Sequence, residues 1–174
     1  MRVAFIVLLL VLAGCARQSP GTPTADDQVM PADFAGAVEY GNGSVAPPYH
    51  YEWRVRFDES TVAVEWRPGY DSATEPWRET ADITDDQRKH LYASLRDLGV
   101  FGMTEAPEEG MVGGPSGSVE VTAGRHTDAV TLGQNEDSVG LLKDIADAVV
   151  ELFPAGVWDG LKARQDDWSD QQPK

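Results

Sequence analysis

From Tyr49 to Phe57 apolar and polar positions alternate without a break: Tyr49, Tyr51, Trp53, Val55 and Phe57 share one face, His50, Glu52, Arg54 and Arg56 the other. A period of two is the signature of a half-buried strand. After Asp58-Glu59-Ser60 the alternation resumes at Val62, Val64 and Trp66. Pairing Phe57 with Val62 sets Val55 opposite Val64 and Trp53 opposite Trp66, and on the wet face it sets Arg54 opposite Glu65, so one register satisfies both faces. Glu59-Ser60 is poor chemistry for a tight primed turn, which predicts a bulged connection. Ala35 to Tyr40 reads as a preceding strand, ended by Gly41-Asn42-Gly43.

The period then changes. Thr84 is placed to cap a helix, with Gln87 reaching back in a capping box and Asp85 and Asp86 at the positive end of the dipole. Leu91, Leu95 and Leu98 form its apolar stripe, and Gly99 is the expected left-handed cap, with Val100 or Phe101 folding back. A second hairpin pairs Ser118 to Ala123 with Asp128 to Leu132 around a loop at Gly124-Arg125-His126-Thr127, setting Val121 opposite Val130 and Val119 opposite Leu132. A second helix from about Asp137 turns Val139, Leu142, Ile145, Val149 and Leu152 or Phe153 inward until Pro154 stops it. Trp158 and Leu161 suggest a short closing helix. The order βββαββα predicts an α+β fold, an antiparallel sheet of about five strands with two main helices on one face and a short C-terminal helix.

The N-terminus has a different character. Met1-Arg2 is followed by ten apolar residues, Val3 to Leu12, and then by Ala13-Gly14-Cys15, where Cys15 is the only cysteine of the chain. Leu12-Ala13-Gly14-Cys15 resembles the lipobox of bacterial lipoproteins. That resemblance implies cleavage before Cys15 and diacylglyceryl modification of its thiol, a two-chain anchor that holds a protein on a membrane almost permanently. It also implies a cell-envelope location: the periplasmic face of the outer membrane if the host is Gram-negative, the pattern favoured by Ala16 in place of Asp, and otherwise the outer face of the cytoplasmic membrane. Two other readings of the segment are an ordinary secretory signal and an uncleaved span. The apolar run is well short of the ~20 residues that a span requires.

The expected organisation is a signal peptide at 1–14, a lipidated and flexible tether at 15–33 that is rich in proline and polar residues, one domain at 34–165, and an acidic tail at 166–174. The full chain carries a formal charge of -15, and loss of Arg2 with the signal peptide makes it one unit more negative. Such a field repels nucleic acid and anionic lipid and favours basic partners. With Cys15 as the sole cysteine there is no intramolecular disulfide, so the core alone holds the fold.

Candidate chemistry is sparse. His50, His90 and His126 fall on a strand's polar face, a helix and a turn, without metal-ligand spacing, and read as surface residues. Asp86 and His90 suit an intrahelical pair. Gly114-Pro115-Ser116-Gly117-Ser118 has Ser where a nucleophile elbow needs its last Gly, and reads as a flexible loop. Glu105, Glu108 and Glu109 lack the alternating ligands of a calcium loop, and Asn42-Gly43-Ser44 reads as a turn. No cofactor or metal site is expected.

Two long irregular connections, Pro68 to Asp82 and Gly102 to Gly117, point to binding. The first holds Tyr70 and Trp77, the expected partner-binding residues, each able to anchor a partner or to fold beneath its loop. Trp158 is expected in the core and Trp168 exposed on the tail. The reading is therefore a membrane-anchored envelope lipoprotein with a non-catalytic binding or structural role toward a protein or wall component. The alternative is an inhibitor of a cationic secreted hydrolase of lysozyme or protease type, suggested by the acidic charge and the two loops.

Overall fold

The computed structural model describes residues 29–103, 113–133 and 135–172, and within them the chain is α+β. Six strands form one antiparallel sheet: β1 (Ala35–Gly41), β2 (Tyr51–Phe57), β3 (Thr61–Pro68), β4 (Trp77–Asp82), β5 (Ser116–Ala123) and β6 (His126–Leu132). Their spatial order is β4-β3-β2-β1-β5-β6. Three helices, α1 (Asp85–Asp97), α2 (Glu136–Val150) and α3 (Val157–Asp170), pack on its apolar face.

The β2–β3 hairpin has the register read from its alternation, with Phe57 opposite Val62, Trp53 opposite Trp66 and Arg54 opposite Glu65. The register is unbroken up to the turn. Among the described residues no non-glycine residue has positive φ, so a primed turn is not the device that closes it. Instead Asp58 accepts the amides of Ser60 and Thr61 at 2.9 and 2.8 Å, an Asx-type turn in which the carboxylate replaces a backbone acceptor. These bonds to the charged form, Ser60 first, hold the Asp58 pKa below its ordinary value.

Across the sheet, side chains of one face align in rows. Val64, Val55, Val38, Val119 and Val130 lie directly opposite one another across five strands and are all buried. One residue further along, on the uncovered face, Arg78, Glu65, Arg54, Glu39, Ser118 and Thr131 form a row that spans all six strands. Arg78 meets Glu65 at 3.0 Å, Arg54 meets Glu39 at 2.7 Å, and Ser118 donates to Glu39 at 3.2 Å. The Arg78 hydrogen bond is the chief cause of a lowered Glu65 pKa. The row neutralises itself in pairs and keeps the open face wet.

The helix signals hold. Thr84 and Gln87 form a reciprocal capping box, and Leu91 and Leu95 are buried. Gly99 takes φ +74, and the Val100 amide returns to Leu95 O. Asn135 and Ser138 cap α2, which buries Leu142, Ile145 and Val149 before Pro154. Arg88, buried on α1, donates to the carbonyls of Ala32 and Phe34 and ties the entry of β1 to the helix layer.

Four expectations need correction. The sheet has six strands rather than about five, because Trp77–Asp82 pairs along β3 as an edge strand. Its residues Arg78, Glu79, Thr80 and Asp82 are exposed, as befits an edge kept from pairing further, and so it lacks an apolar alternation. The closing helix is not short. It runs through residues 166–170, and the buried Gln165 interrupts its apolar stripe of Trp158 and Leu161. The second hairpin is shifted by two residues: Val119 faces Val130 and Val121 faces Asp128, with Gly124-Arg125 as a two-residue turn that Gly124 at φ +67 permits. A shift of two preserves the faces, so the pattern alone could not distinguish the registers. Finally, β2 begins at Tyr51. Pro47–Tyr49 is a 3-10 turn, and Tyr49 is 63 % exposed rather than inward.

Candidate functional site

The residues that stand out for binding gather at the end of the sheet where β2 starts and β3 finishes. Pro47 and Pro48 fix their own φ and turn the chain, so the alternation cannot extend back to Tyr49. His50 is consequently not on the wet face but buried, 4 % exposed. Its Nδ1 lies 3.0 Å from Gly43 O, which can only accept, so Nδ1 carries a proton; Nε2 lies 3.3 Å from Glu52 Oε1.

Gly69, at φ +68, leads the chain out of β3, and its amide donates to His50 O at 2.7 Å. Any Cβ at Gly69 would lie 2.6 Å from the indole of Trp168. The glycine thus allows both the turn and the seating of Trp168, which lies on α3 and not on a tail. The next residue, Tyr70, lays its ring on His50 with centroids 3.7 Å apart and planes within 9°. Its hydroxyl donates to Val45 O at 2.9 Å. Tyr70 is nevertheless 53 % exposed: one face is fixed on the imidazole and the other is free.

Beneath this platform Gln165 donates to the carbonyls of Pro48 and His50, both at 3.3 Å. A depression of 560 Å³ opens beside it, bordered by Pro47, Tyr70, Asp71 and Trp168. Tyr49, Tyr70 and Val45 account for three of the four large exposed apolar side chains among the described residues. Tyr49, His50 and Trp168 were missed as members of this site by sequence reasoning; the Pro47-Pro48 pair was the signal available for the first two.

Trp77 does not join Tyr70. It lies opposite Trp66 at the sheet edge, partly buried, with the Arg164 guanidinium 4.6 Å from its ring centroid. It is a packing residue that clasps α3. Ser116 begins β5 rather than lying in a flexible loop. His90 is 3.6 Å from Glu151 at the end of α2, so its carboxylate partner is not Asp86. His126 is exposed in β6. Cys15 and its lipobox lie outside the described residues, as do Glu105, Glu108, Glu109 and most of the second long connection.

Among the described residues no group of three or more His, Cys, Asp or Glu side chains is placed to hold a metal ion. No described helix is long and apolar enough to cross a membrane. No family model matches the chain, and no curated protein shows significant similarity to it.

Proposed function

We propose that this chain is a lipid-anchored envelope protein with a non-catalytic binding role, and that it engages its partner through the Tyr70 platform. The observation that carries the reading is the half-exposed Tyr70 ring, pre-ordered by the His50 stack and the Val45 hydrogen bond. An aromatic ring already immobilised pays little further entropy on binding, which is the property of an interface anchor. Tyr49 and Val45 extend the apolar area, and Asp71 on the border with Asp166, Asp167 and Asp170 on the last turns of α3 makes the surroundings acidic. The lipobox at Cys15 supports the anchor, and the proline-rich, polar composition of the stretch that follows supports a tether that lets the platform reach outward, one that ends before Met30 packs on the core and Arg88 holds the Ala32 carbonyl.

That acidic border favours a basic partner surface, and it is also what supports the second reading, inhibition of a cationic secreted hydrolase. The test is capture from solubilised host envelope by the full chain, wild type against a Tyr49→Ala/Tyr70→Ala variant, at low and moderate salt, followed by titration with the purified partner. A partner that binds wild type, weakens with salt and loses affinity for the variant supports the reading. Equal binding by both proteins overturns the platform. Salt-sensitive inhibition of a basic lysozyme or protease selects the second reading.

A further inference from the structure

A second concavity lies away from the platform, between the sheet and the α2–α3 pair. It has a volume of 140 Å³, and its walls include Tyr40, Tyr51, Trp53, Trp66 and Trp158. These rings hold one another in place. Tyr40 stacks on Trp53 at 5.2 Å and Tyr51 on Trp66 at 4.4 Å, while Trp158 meets Trp53 edge-on at 5.2 Å and Trp66 at 6.0 Å. The walls are therefore formed before any ligand arrives, as small-molecule sites usually are.

The polar groups of the cleft are mostly donors. The indole N–H of Trp66 is taken by Gln165 at 3.0 Å, but that of Trp158 is buried without a partner. Lys143 and Lys162 border the same cleft and take part in no ion pair or hydrogen bond among the described residues. Burial raises the phenol pKa of Tyr40, with Asp147 adding to the shift, and burial likewise raises that of Tyr51, so both stay protonated donors. Asp147 is the one carboxylate in the lining. Two free ammonium groups in a chain of net charge -15 make this a local site for an anion.

We infer that the cleft is a small-molecule site for a ligand with one ring and a carboxylate, the ring held against the aromatic walls and the carboxylate between Lys143 and Lys162. The cleft is open to solvent and has room for about one small ring, so anything larger projects outward. An aromatic acid and an acidic sugar share this chemistry, the aromatic walls accepting either a π-face or the C–H face of a pyranose. The site does not depend on the Tyr70 platform.

The test uses the ¹⁵N-labelled full chain in detergent and its five tryptophan indole resonances, titrated with benzoate, with glucuronate and with neutral benzyl alcohol. Saturable movement of the Trp158 indole resonance by benzoate or glucuronate, and about tenfold or greater weakening in Lys143→Ala/Lys162→Ala, establishes the site. Whichever anion binds names the source. Both lysines are exposed, so the variant keeps its fold, which the undisturbed remainder of the spectrum verifies. Absence of any Trp158 shift with either anion overturns the inference, as does binding that is unchanged in the double variant or equal for benzyl alcohol.

Discussion

Gln165 accepts the indole N–H of Trp66 at 3.0 Å across 99 positions of sequence. The same side chain donates to Pro48 O and His50 O, so one buried amide joins the wall of the aromatic cleft to the floor of the Tyr70 platform. Removing it strands the buried Trp66 donor and the Pro48 carbonyl, while His50 O keeps the Gly69 amide. Gln165→Ala is expected to cost ~2–4 kcal/mol, read as a lowered urea midpoint with an unchanged slope in denaturation of the full chain. A midpoint within error of wild type would show that the amide does not bind the two regions together.

Tyr70 and Trp77 should separate cleanly. Tyr70 has one face open, whereas Trp77 is paired with Arg164. Trp77→Ala is expected to lower stability by ~1–2 kcal/mol through lost packing and the lost cation–π contact while leaving partner affinity intact. Tyr70→Ala is expected to do the reverse, a small stability change with a large loss of binding. Thermal denaturation and a binding titration on the same two variants decide the matter.

Glycines offer a second contrast. In β5, a Cβ on Gly117 would fall 2.0 Å from Glu39 O, whereas Gly140 of α2 and Gly160 of α3 have nothing within 4 Å of theirs. Gly117→Ala is expected to cost ~3 kcal/mol or more, since backbone on the neighbouring strand must move. Gly140→Ala with Gly160→Ala should instead stabilise by ~1–2 kcal/mol, the helix-propensity difference for two interior positions. Melting temperatures of the two proteins, one falling and one rising, check both.

Asp58 gives the pH test. Its folded pKa is depressed, so its contribution is fully present above the unfolded value near 3.8 and is lost as pH falls through the folded value. Asp58→Asn should therefore lower stability by ~1 kcal/mol near neutrality, a modest figure because the group is exposed. The gap to wild type should shrink toward zero as the pH falls from the unfolded value through the lower folded one. Urea unfolding at the two ends of that range measures it; a gap that persists in acid would mean that shape, not charge, sets the turn.

The β2–β3 register, the Thr84 helix start, the Gly99 stop and, to within a residue or two, the start of α2 were legible in the linear sequence. Each is set by neighbours a few positions away or by an alternation whose two faces must agree, so local pattern carries the information. Where two registers preserve the same faces, as around Gly124-Arg125, pattern was insufficient and the turn geometry chose. The edge strand Trp77–Asp82 left little trace because only Trp77 and Ala81 meet the core. The burial of His50, the seat of Trp168 on Gly69, the Gln165 bridge and the five-ring cleft were decided by tertiary structure alone. They depend on side chains far apart in sequence finding partners in one small volume, and a buried polar group is written as a polar letter like any surface residue until its partner is in place.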